Sequence, residues 1–271
     1  MSETQVSHQV LQQQVLQQQV LQQVRPVALV TGGARGIGRA CARALAAAGH
    51  DIVLVDLLVP EMERTAAEIR DSGREVMIVE ADVASYQRAQ EVAMSVKARF
   101  GRVDFLLNNA GKAMPKGILE IAEDEFDRTI AINLKSCFNY IRAIAPMMLE
   151  QGGGRIASMS SINALSGGVT AAVSRFAYAA AKAGILGMTR SLAKELGPTI
   201  LVNAICPGLI ETELGNAVTR SRGAQIAASD IALRRLGKPD DIAQVVVFLA
   251  TSKPCFITGQ TFTIDGFQYN C

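Results

Sequence analysis

The chain has 271 residues, 49% of them apolar and 19% charged, with a formal net charge of +2. That balance describes a globular chain with ample core, and the lack of any basic run or stripe excludes nucleic acid or a membrane surface as the expected partner. Five widely spaced cysteines without a CxxC pair, and two histidines (His8 and His50), leave almost no material for a disulfide framework, a metal site or serine–histidine chemistry, and fit a reducing cytoplasm.

Residues 1–24 carry a five-residue repeat, VLQQQVLQQQVLQQV. Each repeat advances about 140° on a helix, so the Val-Leu pairs spread round the cylinder and form no stripe. The stretch has neither a basic start nor a continuous apolar block, unlike a secretory signal, and reads as a low-complexity leader; a partner-binding arm is the alternative. No apolar run is long enough to span a membrane.

From Pro26 onward, short β-branched runs alternate with longer helical stretches. This pattern predicts a single α/β domain over 25–271 with a seven-stranded parallel sheet, doubly wound. The predicted strands lie at 27–31, 51–56, 75–80, 104–108, 154–159, 200–205 and 260–264, and helices near 36–49, 60–72, 84–100, 123–149, 176–197 and 238–250. Ligands in such folds sit at the carboxyl ends of the strands, where the strand order reverses.

The first strand runs into Thr31-Gly32-Gly33-Ala34-Arg35-Gly36-Ile37-Gly38 and then an alanine-rich helix. Glycines there let the backbone approach a pyrophosphate, and the first helical turn offers free N–H groups and a positive dipole end. The second strand ends at Asp56, whose carboxylate suits the adenosine ribose hydroxyls of NAD, whereas Arg35 suits the 2′-phosphate of NADP. At the third strand, Asp82 and Val83 either meet the adenine or cap the next helix. The fourth strand leads to Asn109-Ala110-Gly111, a plain turn or a tie between strands that leaves room for the nicotinamide ribose.

Asn133 falls in a helical run that is apolar on nearly every side, where it either satisfies backbone groups at a kink or anchors a proton-relaying water. Ser161 follows the fifth strand and can hydrogen-bond a carbonyl or its oxyanion. In FAYAAAKAGILG, Tyr178 and Lys182 lie one helical turn apart on one face, so the ammonium is expected to favour the phenolate and bring the tyrosine toward acid/base work.

Taken together, TGGARGIG, NNAG, Asn133, Ser161, YAAAK and Cys206-Pro207-Gly208 resemble the classical short-chain dehydrogenase/reductases, over residues 26–270. The resemblance implies a Rossmann fold, Tyr178 as general acid/base, Lys182 as the residue that lowers its pKa and binds the nicotinamide ribose, Ser161 as substrate anchor and Asn133 as holder of the relay water. It also implies cofactor contacts around Pro207, Gly208, Ile210 and Thr212, and a substrate lid over about 212–236 in which Arg220 and Arg222 are either solvated or anion-binding.

The C-terminal stretch is similar to that of 3-oxoacyl carrier-protein reductases, in which the helices at 123–149 and 176–197 pair between subunits of a tetramer. Three features set the chain apart from that group. It has Asp56, its loop 163–175 is longer by about four residues, and its 150–154 turn (EQGGG) lacks basic residues. The resulting expectation is an NAD(H)-dependent enzyme interconverting a small-molecule secondary alcohol and a ketone, as a tetramer or dimer. An NADPH-dependent 3-oxoacyl thioester reductase is the alternative, and a non-catalytic dinucleotide-binding regulator a remote one.

Overall fold

The computed structural model describes residues 25–167, 174–213 and 217–268, without the side chains of 217–220 and 222. The leader 1–24, residues 168–173 of the 163–175 loop, residues 214–216 of the lid and the side chains of Arg220 and Arg222 lie outside the described residues.

The strands are β1 (Val27–Thr31), β2 (Asp51–Asp56), β3 (Val76–Glu80), β4 (Phe105–Asn108), β5 (Gly154–Met159), β6 (Ile200–Pro207) and β7 (Thr261–Ile264). Among the described residues they form one parallel sheet in the order β3-β2-β1-β4-β5-β6-β7. The chain winds outward from β1 in one direction and from β4 in the other, so the reversal lies between these two strands. Val30 pairs with Leu107 there, and the crevice opens just beyond their carboxyl ends.

Strand side chains alternate between the two faces, and both faces are covered. Val27 and Leu29 enter one core cluster while Ala28 and Val30 enter the other. That double burial is why β1 and β2 read as unbroken apolar runs. Each fully buried branched side chain in them contributes roughly 1.5–3 kcal/mol.

The covering helices are α1 (Gly36–Ala47), α2 (Val59–Arg70), α3 (Tyr86–Phe100), α4 (Glu123–Ile130), α5 (Ser136–Glu150), α6 (Asn163–Ser166), α7 (Phe176–Leu196), α8 (Ala217–Asp230) and α9 (Pro239–Thr251). The single helix predicted over 123–149 is two helices joined by a π-helical turn, Ala131–Lys135. The cause is Asn133, which is wholly buried and satisfies backbone groups instead of continuing an apolar face. Two further helices escape the sequence pattern. α6 is four residues long, and the apolar residues of α8 favour no one face.

Candidate active site

The crevice is stitched shut at its floor. Thr31 Oγ1 accepts from the backbone N–H groups of Asn109 (3.0 Å) and Ala110 (3.1 Å), and Asn109 Nδ2 donates to the carbonyls of Thr31 (3.0 Å) and Gly32 (3.1 Å). The NNAG segment is therefore a tie between the tips of β1 and β4. Above it, Gly32 (φ +65°) and Gly36 (φ +56°) adopt left-handed backbone, and a Cβ on Gly38 would lie 1.9 Å from the Gly32 carbonyl oxygen. Gly38 is thus packed so tightly against the loop that it admits no side chain, and Gly36 and Ile37 at the start of α1 stay partly open. Glycine spacing and helix dipole fit the pyrophosphate of a dinucleotide. Thr212 packs over this loop, its Cγ2 3.6 Å from where a Gly36 Cβ would stand.

Asp56 closes β2 and turns back to the same loop. One oxygen accepts from Ala34 N–H at 3.2 Å, the other from Leu57 (2.8 Å) and Leu58 (3.2 Å). The carboxylate is fixed where the sequence places a ribose reader. Arg35, half-buried, makes no side-chain hydrogen bond or ion pair among the described residues. Asp82 accepts from Ala84 N–H at 3.0 Å, and α3 is capped by Ser85, so Asp82 makes the turn and the serine the cap.

Deeper in the crevice, α7 is locked to β5. Lys182 is 3% exposed, its Nζ donates to the Met159 carbonyl at 2.7 Å, and its own carbonyl accepts from Ser160 Oγ at 2.7 Å. The Ser161 hydroxyl, which accepts from Asn163 N–H at 3.2 Å, is close enough to the Tyr178 hydroxyl to ease its ionisation. Asn133 lies across from Lys182. A Cβ on Gly111 would stand 3.0 Å from Asn133 Oδ1 and 3.4 Å from Lys182 Nζ. The three residues implied as acid/base, anchor and lysine therefore converge, with Asn133 beside them.

Two expectations change. Lys182 does not bring the Tyr178 phenol down in the protein alone. Burial pushes the phenol up to about 12, against the opposing influence of the neighbouring Ser161 hydroxyl. The ammonium sits over the ring, 5.5 Å from its centroid, and is committed to Met159. Its own pKa is lowered by burial against the opposing fields of Cys137 and Cys206. Second, both N–H bonds of the Asn133 amide are taken by the carbonyls of Lys112 (2.9 Å) and Thr129 (3.0 Å), while Oδ1 accepts from Lys112 N–H at 3.0 Å. The kink reading of Asn133 is the one its side chain follows, and one Oδ1 lone pair is left over for a water.

The carboxyl end of β6 supports the lid. Gly208 packs against Asp265, where a Cβ would meet Cα at 2.7 Å, and Ile210 pairs with Gly237 in an isolated parallel bridge. Pro207 ends the strand itself. Sequence reasoning missed Thr31, whose position at a strand end facing β4 was the available signal. It also missed Arg39 on α1, which bridges Glu68 on α2 and, at 3.1 Å, Glu213 of the lid. That pair spans 174 positions and has no local signature.

The family model described as enoyl-(acyl carrier protein) reductase matches residues 32–266. A 3-oxoacyl-[acyl-carrier-protein] reductase, FabG, of Staphylococcus epidermidis is 38% identical over 244 residues, covering 89% of this chain and 98% of its own. An acetoacetyl-CoA reductase of Rhizobium meliloti is 39% identical over 244 residues, covering 90% and 98%. Among solved structures, a short-chain dehydrogenase/reductase of the glucose/ribitol dehydrogenase type from Brucella melitensis superposes with a TM-score of 0.83 at 31% identity, over 91% of this chain and 97% of that one. This chain belongs to the short-chain dehydrogenase/reductase family of nicotinamide-dependent oxidoreductases.

Proposed function

We propose that the chain reduces a 3-oxoacyl thioester to its 3-hydroxyacyl counterpart, and that its cofactor is NADH. The observation that carries the chemistry is the Ser161–Tyr178 hydroxyl pair beside buried Lys182. The names of the relatives favour a thioester over the unspecified alcohol that the sequence put first. So does the apolar rim. Ile118 and Leu119 are exposed on the segment after β4, which is tied to the start of α7 by Arg175 N–H donating to the Met114 carbonyl at 2.8 Å. An acyl chain suits such a surface.

A bound dinucleotide supplies the hydride in this reaction. The residues holding it would be the backbone of Gly32, Gly36, Ile37 and Gly38, Asp56 at the ribose, Asp82 and Val83 at the adenine, and Asn109 to Gly111 with Lys182 toward the nicotinamide. Pro207, Gly208, Ile210 and Thr212 flank that end. Tyr178 donates its proton to the ketone oxygen as negative charge develops there, and Ser161 holds that oxygen by a hydrogen bond. Lys182 fixes the ring and α7, while Asn133 holds the Lys112 backbone and offers its spare lone pair to a water that reprotonates the site. A second reading, NADPH, is favoured by Arg35, which has no side-chain partner among the described residues. Acetoacetyl-CoA offered with each reduced cofactor tests both points: loss of NADH supports the reading, and failure with both cofactors overturns it. Exposed Phe138 and Leu149 on α5 support the further reading of a homo-oligomer built through that face.

A further inference from the structure

Asp82 is held from two sides. Its Oδ1 accepts from Ala84 N–H at 3.0 Å within its own turn, and its Oδ2 accepts from Arg128 Nη2 at 2.8 Å. Arg128 comes from the last turn of α4, 46 positions along the chain. The acid one turn earlier on its own helix, Glu125, is already engaged by Lys116 and by Ala122 N–H. The next helix adds a parallel tie, as Asn139 Nδ2 donates to the Val83 carbonyl at 3.0 Å. The tip after β3 is therefore fastened by one side chain from α4 and one from α5.

The Asp82–Arg128 bridge is not a core feature. The side chains are 36% and 52% exposed, and an ion pair so open to solvent contributes little to folding. What it does accomplish is orientation. With one oxygen bound to Ala84 and the other to Arg128, the carboxylate is held in one rotamer, and each oxygen keeps a lone pair free to accept a further hydrogen bond.

We infer that Arg128 is a positioning residue for the adenine end of the dinucleotide, aiming Asp82 so that its carboxylate accepts a hydrogen bond from the exocyclic amino group. This rests on the proposed placement of the adenine beside Asp82. It gives the site a chemical preference: a purine with an amino group in that position is accepted, and one bearing a carbonyl oxygen there meets a carboxylate with no proton to share.

The test is fluorescence titration of the native chain and of Arg128→Gln, Arg128→Lys and Asp82→Asn with NADH, its hypoxanthine analogue and reduced nicotinamide mononucleotide, which lacks the purine altogether. Arg128→Gln is expected to weaken NADH binding about fivefold, the scale of one charge-assisted hydrogen bond at an open site. It should leave the mononucleotide unchanged and narrow the preference for NADH over the hypoxanthine analogue. Arg128→Lys should restore part of the loss, and Arg128→Gln in the Asp82→Asn background should add nothing further. Unchanged NADH affinity in Arg128→Gln, an equal loss for the mononucleotide, or a full additional loss on top of Asp82→Asn overturns the inference. Failure of the native chain to bind NADH overturns the cofactor reading itself, which separates the two.

Discussion

The ammonium of Lys182 lies 5.5 Å from the centre of the Tyr178 ring and donates its hydrogen bond to the Met159 carbonyl at 2.7 Å. It thus braces the ring and the α7–β5 junction instead of meeting the hydroxyl. The phenol, pushed up to about 12 by burial, is a protonated acid at neutral pH, which is the form that ketone reduction consumes.

The pH dependence should therefore differ between directions. In reduction, kcat/KM is expected to stay flat from neutral pH to mildly alkaline pH, because the free enzyme already carries the proton. Alcohol oxidation, which needs the phenolate, should keep rising across the same range. Paired pH profiles check this, and a reductive rate that falls off near neutrality contradicts it.

Gly38→Ala should abolish dinucleotide binding. The new Cβ would stand 1.9 Å from the Gly32 carbonyl oxygen and 2.6 Å from Asn109 Nδ2, so the cradle must open and the tie between β1 and β4 must break. Titration with NADH should show at least about a hundredfold loss, whereas an ordinary glycine-to-alanine change in a helix is neutral or mildly stabilising. Retained affinity would mean that the cofactor does not use this loop.

Asp56→Ala removes the carboxylate held by Ala34, Leu57 and Leu58. The ratio of NADH to NADPH efficiency is expected to fall by about tenfold or more, from lost ribose contacts and lost repulsion of the 2′-phosphate, with Arg35 then free to pair with that phosphate. Steady-state kinetics with both cofactors measure it. A native chain that already prefers NADPH would show that Arg35 outweighs Asp56.

Tyr140 is fully buried, and its hydroxyl has no hydrogen-bond partner among the described residues. Tyr140→Phe removes a desolvated group at little loss of packing, so stability should be unchanged or higher by about 1 kcal/mol. Burial also raises the Tyr140 pKa. Because burial penalises only the ionised phenol, the native chain loses stability as pH climbs past the ordinary tyrosine value near 10, at which the unfolded chain ionises first, so the variant should resist alkaline unfolding better than the native chain. Denaturant melts at neutral and alkaline pH check both points.

The sheet was legible because its strands are buried on both faces, so each appears as a short β-branched run such as DIVLVD, and the glycine loop announced itself by falling between a strand and a helix. Tyr178, Lys182 and Ser161 were legible through spacing and order. What the sequence withheld depends on side chains meeting across the fold. The π turn is created by Asn133 reaching Lys112, and Arg39 and Arg128 find their partners on distant elements. The direction of the Tyr178 shift was misjudged for the same reason. Spacing placed the lysine one turn away but said nothing of Met159, which takes its hydrogen bond, or of the burial that dominates the phenol.

The most direct measurement is the rate at which the native chain and Tyr178→Phe oxidise NADH in the presence of acetoacetyl-CoA, with NADH binding measured alongside. The native chain should reduce the thioester, and the variant should lose at least about a hundredfold in turnover while binding NADH as before. An unaffected rate in Tyr178→Phe, or no reduction of the thioester by the native chain with either cofactor, would contradict the account.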